Sequence, residues 1–211
     1  TRLKDHNVEE NIHTSKETEN AGRHYATVTE VFDFGPHISR IILDTECELA
    51  GAALSPSQFE VEVTRTSTQG ENFEWPQFMG ARPDDSMHGT RTITGLYISD
   101  ADGNPAQSGT HITLEMYCHP MQGLGSIIRF DGHYNVSVNV DCVITQKEPL
   151  ATDAGILEGM VFHQNDGNRT LYGDLLKTGS FAHPRTPLSY VYYEPETADG
   201  QKYPLIIWLH G

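Results

Sequence analysis

Apolar and polar residues alternate with a period of two along much of the chain. Phe59, Val61 and Val63 share one phase while Glu60, Glu62 and Thr64 take the other. Ile112, Leu114, Met116 and Cys118 are set against Thr113, Glu115 and Tyr117 in the same way, and Val136, Val138, Val140, Cys142 and Ile144 form the longest such row. Successive side chains of a strand point to opposite faces, so each row predicts a strand with one buried and one wet face, the habit of antiparallel sheets. Less regular runs extend the series: strands are expected over 24–35, 37–46, 58–66, 91–99, 110–118, 126–131 and 133–146. Asp-Gly steps at Asp102-Gly103 and Asp131-Gly132 supply turns between them. Short strands punctuated in this way predict a mainly β fold, an antiparallel sandwich.

The texture changes on either side of that series. Residues 1–23 are polar, carry both signs of charge and contain no aromatic residue, so they read as a flexible lead-in. Residues 147–169 read as a linker, and weak helical spacing runs through 165–179. Two further strands are expected at 188–196 and 204–211. The last differs in kind, because Leu205, Ile206, Ile207, Trp208 and Leu209 are continuously apolar, as in a strand buried on both faces. A second unit, incomplete, is therefore expected over 170–211.

Charge removes several function classes. The 211 residues hold 14 Lys and Arg against 29 Asp and Glu, a formal charge of -15 that repels phosphate backbones and anionic membrane surfaces. Nucleic acid is not an expected partner, and no window approaches the length of a membrane span. The chain starts "TRLKDHNVEE" without Met or an apolar core, so a leader is expected to have been removed. Three cysteines, Cys47, Cys118 and Cys142, without a CxxC spacing give neither a zinc site nor a dense disulfide framework. Cys118 and Cys142 fall in the apolar phases of their strands and could meet across the sandwich as one bridge, with free buried thiols the more economical reading. The 11 histidines show no HExxH or His-x-His spacing, so no metal site and no cofactor are expected. "SDADGN" at 99–104 lacks the later Glu of an EF-hand loop and suits a turn.

Two places invite a contact or a reaction. Phe73, Trp75 and Phe78 in "ENFEWPQFMG" are candidates for a surface contact with a sugar or a protein. His210-Gly211 follows directly on the apolar run, where a glycine after a central strand lets backbone N–H groups approach a developing oxyanion.

The segment "LSYVYYEPETADGQKYPLIIWLHG" (188–211) resembles the start of an α/β-hydrolase domain, as in carboxylesterase- or phospholipase-like enzymes and prolyl-oligopeptidase-type peptidases. That resemblance implies that His210 and Gly211 open an oxyanion loop. "ISRIILDTECELAGAALSPSQFEVEVTRT" together with "RTITGLYISDADGNPAQSGTHITLEMY" resembles the N-terminal immunoglobulin-like domain of bacterial multidomain esterases, over roughly 24–146. The two resemblances imply an immunoglobulin-like β-sandwich followed by the truncated start of an α/β-hydrolase domain. They imply a parent serine hydrolase acting on carboxylic esters, with its own catalytic domain as partner and an extracellular or periplasmic location. The accessory region would orient or shield that domain or mediate homo-oligomerisation.

No serine has glycine at both minus two and plus two; the nearest, Ser126 in "GLGSI", has the wrong spacing. Nucleophile, acid and base are therefore expected outside this sequence, and no catalytic residue is assigned within it. The alternatives are a stand-alone carbohydrate- or protein-binding sandwich, and an accessory region of a prolyl-oligopeptidase-type peptidase.

Overall fold

The computed structural model describes residues 22–68, 87–130, 134–182, 184–196, 202 and 204–207. Its regular elements are strands, with three single-turn 3-10 segments and no α-helix among the described residues. The chain divides into two compact units, Thr1–Thr170 and Leu171–Gly211.

The first unit contains β1 (Arg23–Phe32), β2 (Gly35–Asp44), β3 (Phe59–Ser67), β4 (His88–Arg91), β5 (Ile93–Ser99), β6 (His111–Met116), β7 (Ile128–Phe130), β8 (Asn135–Gln146), β9 (Leu150–Thr152), β10 (Gly155–Leu157) and β11 (Val161–Thr170). Hydrogen bonding runs through one curled sheet in the order β4-β3-β8-β11-β1-β2-β6-β5, while β7 pairs with β8 and β9 with β10. Every strand pair is antiparallel except β1 with β11, which is parallel. The two ends of this order, β4 and β5, are consecutive in sequence and separated only by Thr92. One stretch therefore leaves β3 and joins β6, closing the sheet on itself as a corner strand does where two layers meet.

The alternation explains the core. Val61, Val63, Ile112, Leu114 and Ile144 are fully buried in one cluster with Ile41 and Leu43 of β2, Tyr25 of β1 and Phe162 of β11. Burying them from both layers supplies the main favourable term, at about 25 cal/mol per Å² of apolar surface. On the outer side of β2 and β6 the loop after β5 folds back. Gly103 sits against Ile42 and Thr113, and the Tyr97 hydroxyl donates to the Gly103 carbonyl at 3.1 Å.

Two expectations are corrected by the pairing. Residues 147–169, expected as a linker, carry β9, β10 and β11, and β11 is an interior strand of the sheet. Gln146 pins this excursion: its side-chain amide donates to the Leu157 carbonyl at 2.8 Å and accepts the Met160 N–H at 3.2 Å. The weak helical spacing over 165–179 corresponds instead to the end of β11, a 3-10 turn at Gly173–Leu175 and β12 (Leu176–Phe181). The glycines of that stretch cost helix and suit a turn between strands.

The second unit is a hairpin of β12 with β13 (Leu188–Tyr193), in register from Leu176 opposite Tyr193 to Phe181 opposite Leu188. Every residue of β13 is exposed, as are Phe181, Leu175 and Leu176. Residues 204–207, expected to begin a strand, are outside the strand ladders, and Leu205, Ile206 and Ile207 are 83%, 84% and 71% exposed. An apolar run of this kind needs a sheet neighbour on each side and cover on each face.

Candidate functional site

Two places in the first unit gather polar groups against the core. The first is a groove of about 550 Å³ where β8 parts from β11. These strands pair only at Val161 with Thr145 and Phe162 with Ile144. Further along, β11 follows β1, while β8 turns toward β7 and the Val138 N–H donates to the Ile127 carbonyl at 3.0 Å. The inner wall is apolar, from Ile38, Ile127, Val138 and Val140, and the rim is polar, from Ser137, Asn139, Asp141 and Asn165.

The backbone of β8 in this gap can be followed residue by residue. The Arg65 N–H bonds Met87 on the β4 side, so Arg65 and Val140 form a pair without mutual hydrogen bonds. The even-numbered residues of β8 accordingly turn their N–H and C=O toward β11. At Cys142 no strand meets them; the Tyr25 hydroxyl reaches across and accepts the Cys142 N–H at 2.8 Å. Burial holds this phenol well above its ordinary value, so it stays neutral. On the floor, Asn168 donates to the hydroxyls of Thr27 at 3.0 Å and Thr29 at 2.8 Å, tying β11 to β1 through side chains.

The second place is a cationic end. Arg65, Arg91 and Arg129 are all buried, although the chain is strongly acidic. Arg65 donates to the Ile128 carbonyl at 3.0 Å, and Arg129 approaches the Met87 sulfur at 3.4 Å. Arg91 donates to the Tyr117 carbonyl at 3.2 Å and lies 3.7 Å from Cys118 Sγ, while its Nη1 has no hydrogen-bond partner among the described residues. His37 lies beside them, edge-on to Phe34 with ring centroids 5.0 Å apart. Burial, with Arg91 and Arg65 adding in the same direction, pushes its imidazole below the ordinary value. None of the three arginines stands out by composition, but Arg65 continues the inward phase of Phe59, Val61 and Val63, which is the one signal that marks it.

Among the described residues neither place holds an activated nucleophile. Cys47, Cys118 and Cys142 are free thiols. Burial raises Cys118 against the opposing pull of Arg91, and raises Cys142 to about 11, so both are protonated at neutral pH. The Ser126 hydroxyl donates to the Ile128 carbonyl at 2.9 Å and faces no base. Among the described residues no three His, Cys, Asp or Glu side chains gather as metal ligands. In the "SDADGN" turn, Asp100 accepts the Asn104 side-chain amide at 3.0 Å and the N–H groups of Asn104 and Asp102 at 2.9 Å each, holding its carboxyl below the usual range. The candidate residues His210, Gly211, Phe73, Trp75 and Phe78 lie outside the described residues.

Residues of the first unit, mainly strand where they are described, are where a known family is matched. Residues 24–158 match the family described as the esterase Ig-like N-terminal domain. The chain belongs to this family. The match takes in the β9–β10 hairpin as well as the expected sandwich, in keeping with the pinning of that hairpin by Gln146. A solved structure described as the crystal structure of a thermostable esterase is similar to this esterase Ig-like chain at a TM-score of 0.56 and 22% identity. The similarity covers 80% of this chain and 41% of that one, so the chain spans about two fifths of the solved esterase's length, and at this identity the likeness is one of fold. No match was found among the curated proteins.

Proposed function

We propose that the chain is the accessory region of a serine carboxylesterase, with the esterase Ig-like unit positioning or shielding an α/β-hydrolase domain whose first strands begin in the second unit. The observation that carries this reading is the β12–β13 hairpin. It is built of Tyr190, Val191, Tyr192 and Tyr193 with no face buried, and is followed by the exposed Leu205–Ile207. Residues of that kind are stable when they are taken up into a larger sheet with cover on both faces. The family of residues 24–158 supports an esterase as the parent, and the lack of a G-x-S-x-G elbow in this sequence is in keeping with a nucleophile supplied by the α/β-hydrolase domain.

The test is hydrolysis of p-nitrophenyl acetate. The 211-residue chain is expected to give no rate above buffer, and the protein translated from the continuing reading frame is expected to hydrolyse the ester and to lose activity when its elbow serine becomes alanine. A rate in the 211-residue chain that disappears on a Ser→Ala change within it refutes the reading.

A further inference from the structure

We propose that Cys118 is a site of reversible oxidation, where peroxide converts the thiol to a sulfenic acid that Arg91 holds. Arg91 is 8% exposed, yet its Nη1 has no hydrogen-bond partner among the described residues. The groups its Nη2 reaches are neutral, the Tyr117 carbonyl at 3.2 Å and Cys118 Sγ at 3.7 Å. Burial lowers the guanidinium from its ordinary value, and the groups that pull it back are the thiols of Cys118 and Cys142, with no carboxylate among them. Burying a charge is costly until a hydrogen-bonded acceptor meets it, so a buried guanidinium with a spare N–H is half of a pair.

The backbone holds the two side chains together. Arg91 ends β4 and Cys118 follows β6, and the Tyr117 N–H donates to the Thr92 carbonyl at 2.9 Å, joining the segments beside both residues. Gly125 packs directly on the guanidinium, since a Cβ there would lie 2.7 Å from Nη2. Around Cys118 Sγ stand two acceptors and one donor: the Met116 carbonyl at 3.5 Å, the Ile38 carbonyl at 3.6 Å and the Arg91 fork. A thiol has one weak S–H for the carbonyls and is a poor acceptor for Arg91. One oxygen on the sulfur changes this. The new O–H donates to the Met116 or Ile38 carbonyl, and the new oxygen accepts from the guanidinium, a charge-assisted bond that a thiol cannot make as well.

In the reaction the sulfur attacks one oxygen of hydrogen peroxide and the O–O bond breaks. The second oxygen leaves as water, the sulfur is oxidised by two electrons, and thiol plus peroxide becomes sulfenic acid plus water. Burial keeps the Cys118 thiol protonated at rest against the pull of Arg91, so the reaction runs through the thiolate fraction formed beside the guanidinium. The other two cysteines lack this arrangement: Cys142 is 2% exposed, and the hydrogen bonds of Cys47 run through its backbone to Thr45.

Trapping with dimedone, which alkylates sulfenic acids, tests the assignment. The 211-residue chain is treated with hydrogen peroxide, the excess is removed with catalase, and dimedone is added after increasing delays, with peptide mass spectrometry reading the adduct at each cysteine. The sulfenic acid at Cys118 is expected to persist about tenfold longer than that at Cys47 in the same molecules. Arg91→Gln and Arg91→Lys, checked for folding by their melting curves, are expected to erase the difference, the lysine because it keeps the charge and loses the fork. Absence of an adduct at Cys118 overturns the proposal, and so does a lifetime there no longer than at Cys47, a comparison that needs no variant. An unchanged Cys118 lifetime in a folded Arg91 variant, or a disulfide of Cys118 in place of the adduct, overturns it equally.

Discussion

Tyr25→Phe isolates the role of one oxygen in a fully buried ring. Tyr25 is 1% exposed, and its hydroxyl is the acceptor for the Cys142 N–H at 2.8 Å, in place of a strand. Phenylalanine keeps the ring packing and removes only the acceptor, so the cost is that of a buried N–H left unsatisfied, about 1–3 kcal/mol. The groove of about 550 Å³ beside β8 gives water access to that edge, which places the loss at the lower end. For a domain with a urea m-value of about 2 kcal/mol/M, a loss of about 1 kcal/mol lowers the midpoint by about 0.5 M with m unchanged. Urea unfolding followed by circular dichroism reads this directly. A midpoint shift below about 0.2 M, or a changed m-value, would refute the role given to the hydroxyl as a substitute strand.

Gly103→Ala is expected to cost about 1–2 kcal/mol, because φ is +73° and the added Cβ would lie 2.9 Å from Ile42 Cδ1. Gly159→Ala has the same φ with no atom within 4 Å, so the difference between their melting temperatures measures the contact with Ile42 apart from backbone strain. His37 gives stability a pH dependence of known sign. Its folded value is depressed by burial below 6.5, so its contribution is complete above that pH and falls away as pH drops through the folded value. Melting temperature is therefore expected to decline as pH falls below 6.5, and His37→Phe to flatten that part of the curve; an unaltered slope refutes the assignment.

What was legible in the sequence is what a two-sided environment writes into it. Where one face of a strand is wet and the other buried, residues alternate, and the rows at 59–64, 112–118 and 136–144 named their buried positions: Val61, Val63, Ile112, Leu114 and Ile144 are all completely inside. β11 left no such record. Only Phe162 of its ten residues is buried, and the strand is held by backbone pairing to β1 and by Asn168 bonding to Thr27 and Thr29, so "HQNDGNRT" reads as a loop. Around the shift of register at Val28 and Thr29, three consecutive residues of β1, Thr27, Val28 and Thr29, are buried, which period-two counting cannot anticipate.

The groove follows from these two unwritten features together. A parallel partner enters beside β1 and leaves β8 after two residue pairs, so the seam of the curled sheet opens on that side. On the opposite side the seam is shut by the continuous run of β4 and β5. Where β11 departs from β8 the latter loses its neighbour on that side, and the edge left there is the Val138–Cys142 stretch. The long apolar row of β8 fixes which face of the strand is buried but is silent about its flanks, since side-chain pattern records what lies above and below a strand and backbone groups record what lies beside it. A site made mainly of backbone edge, with Tyr25 as its one committed side chain, is therefore visible only once the pairing is known.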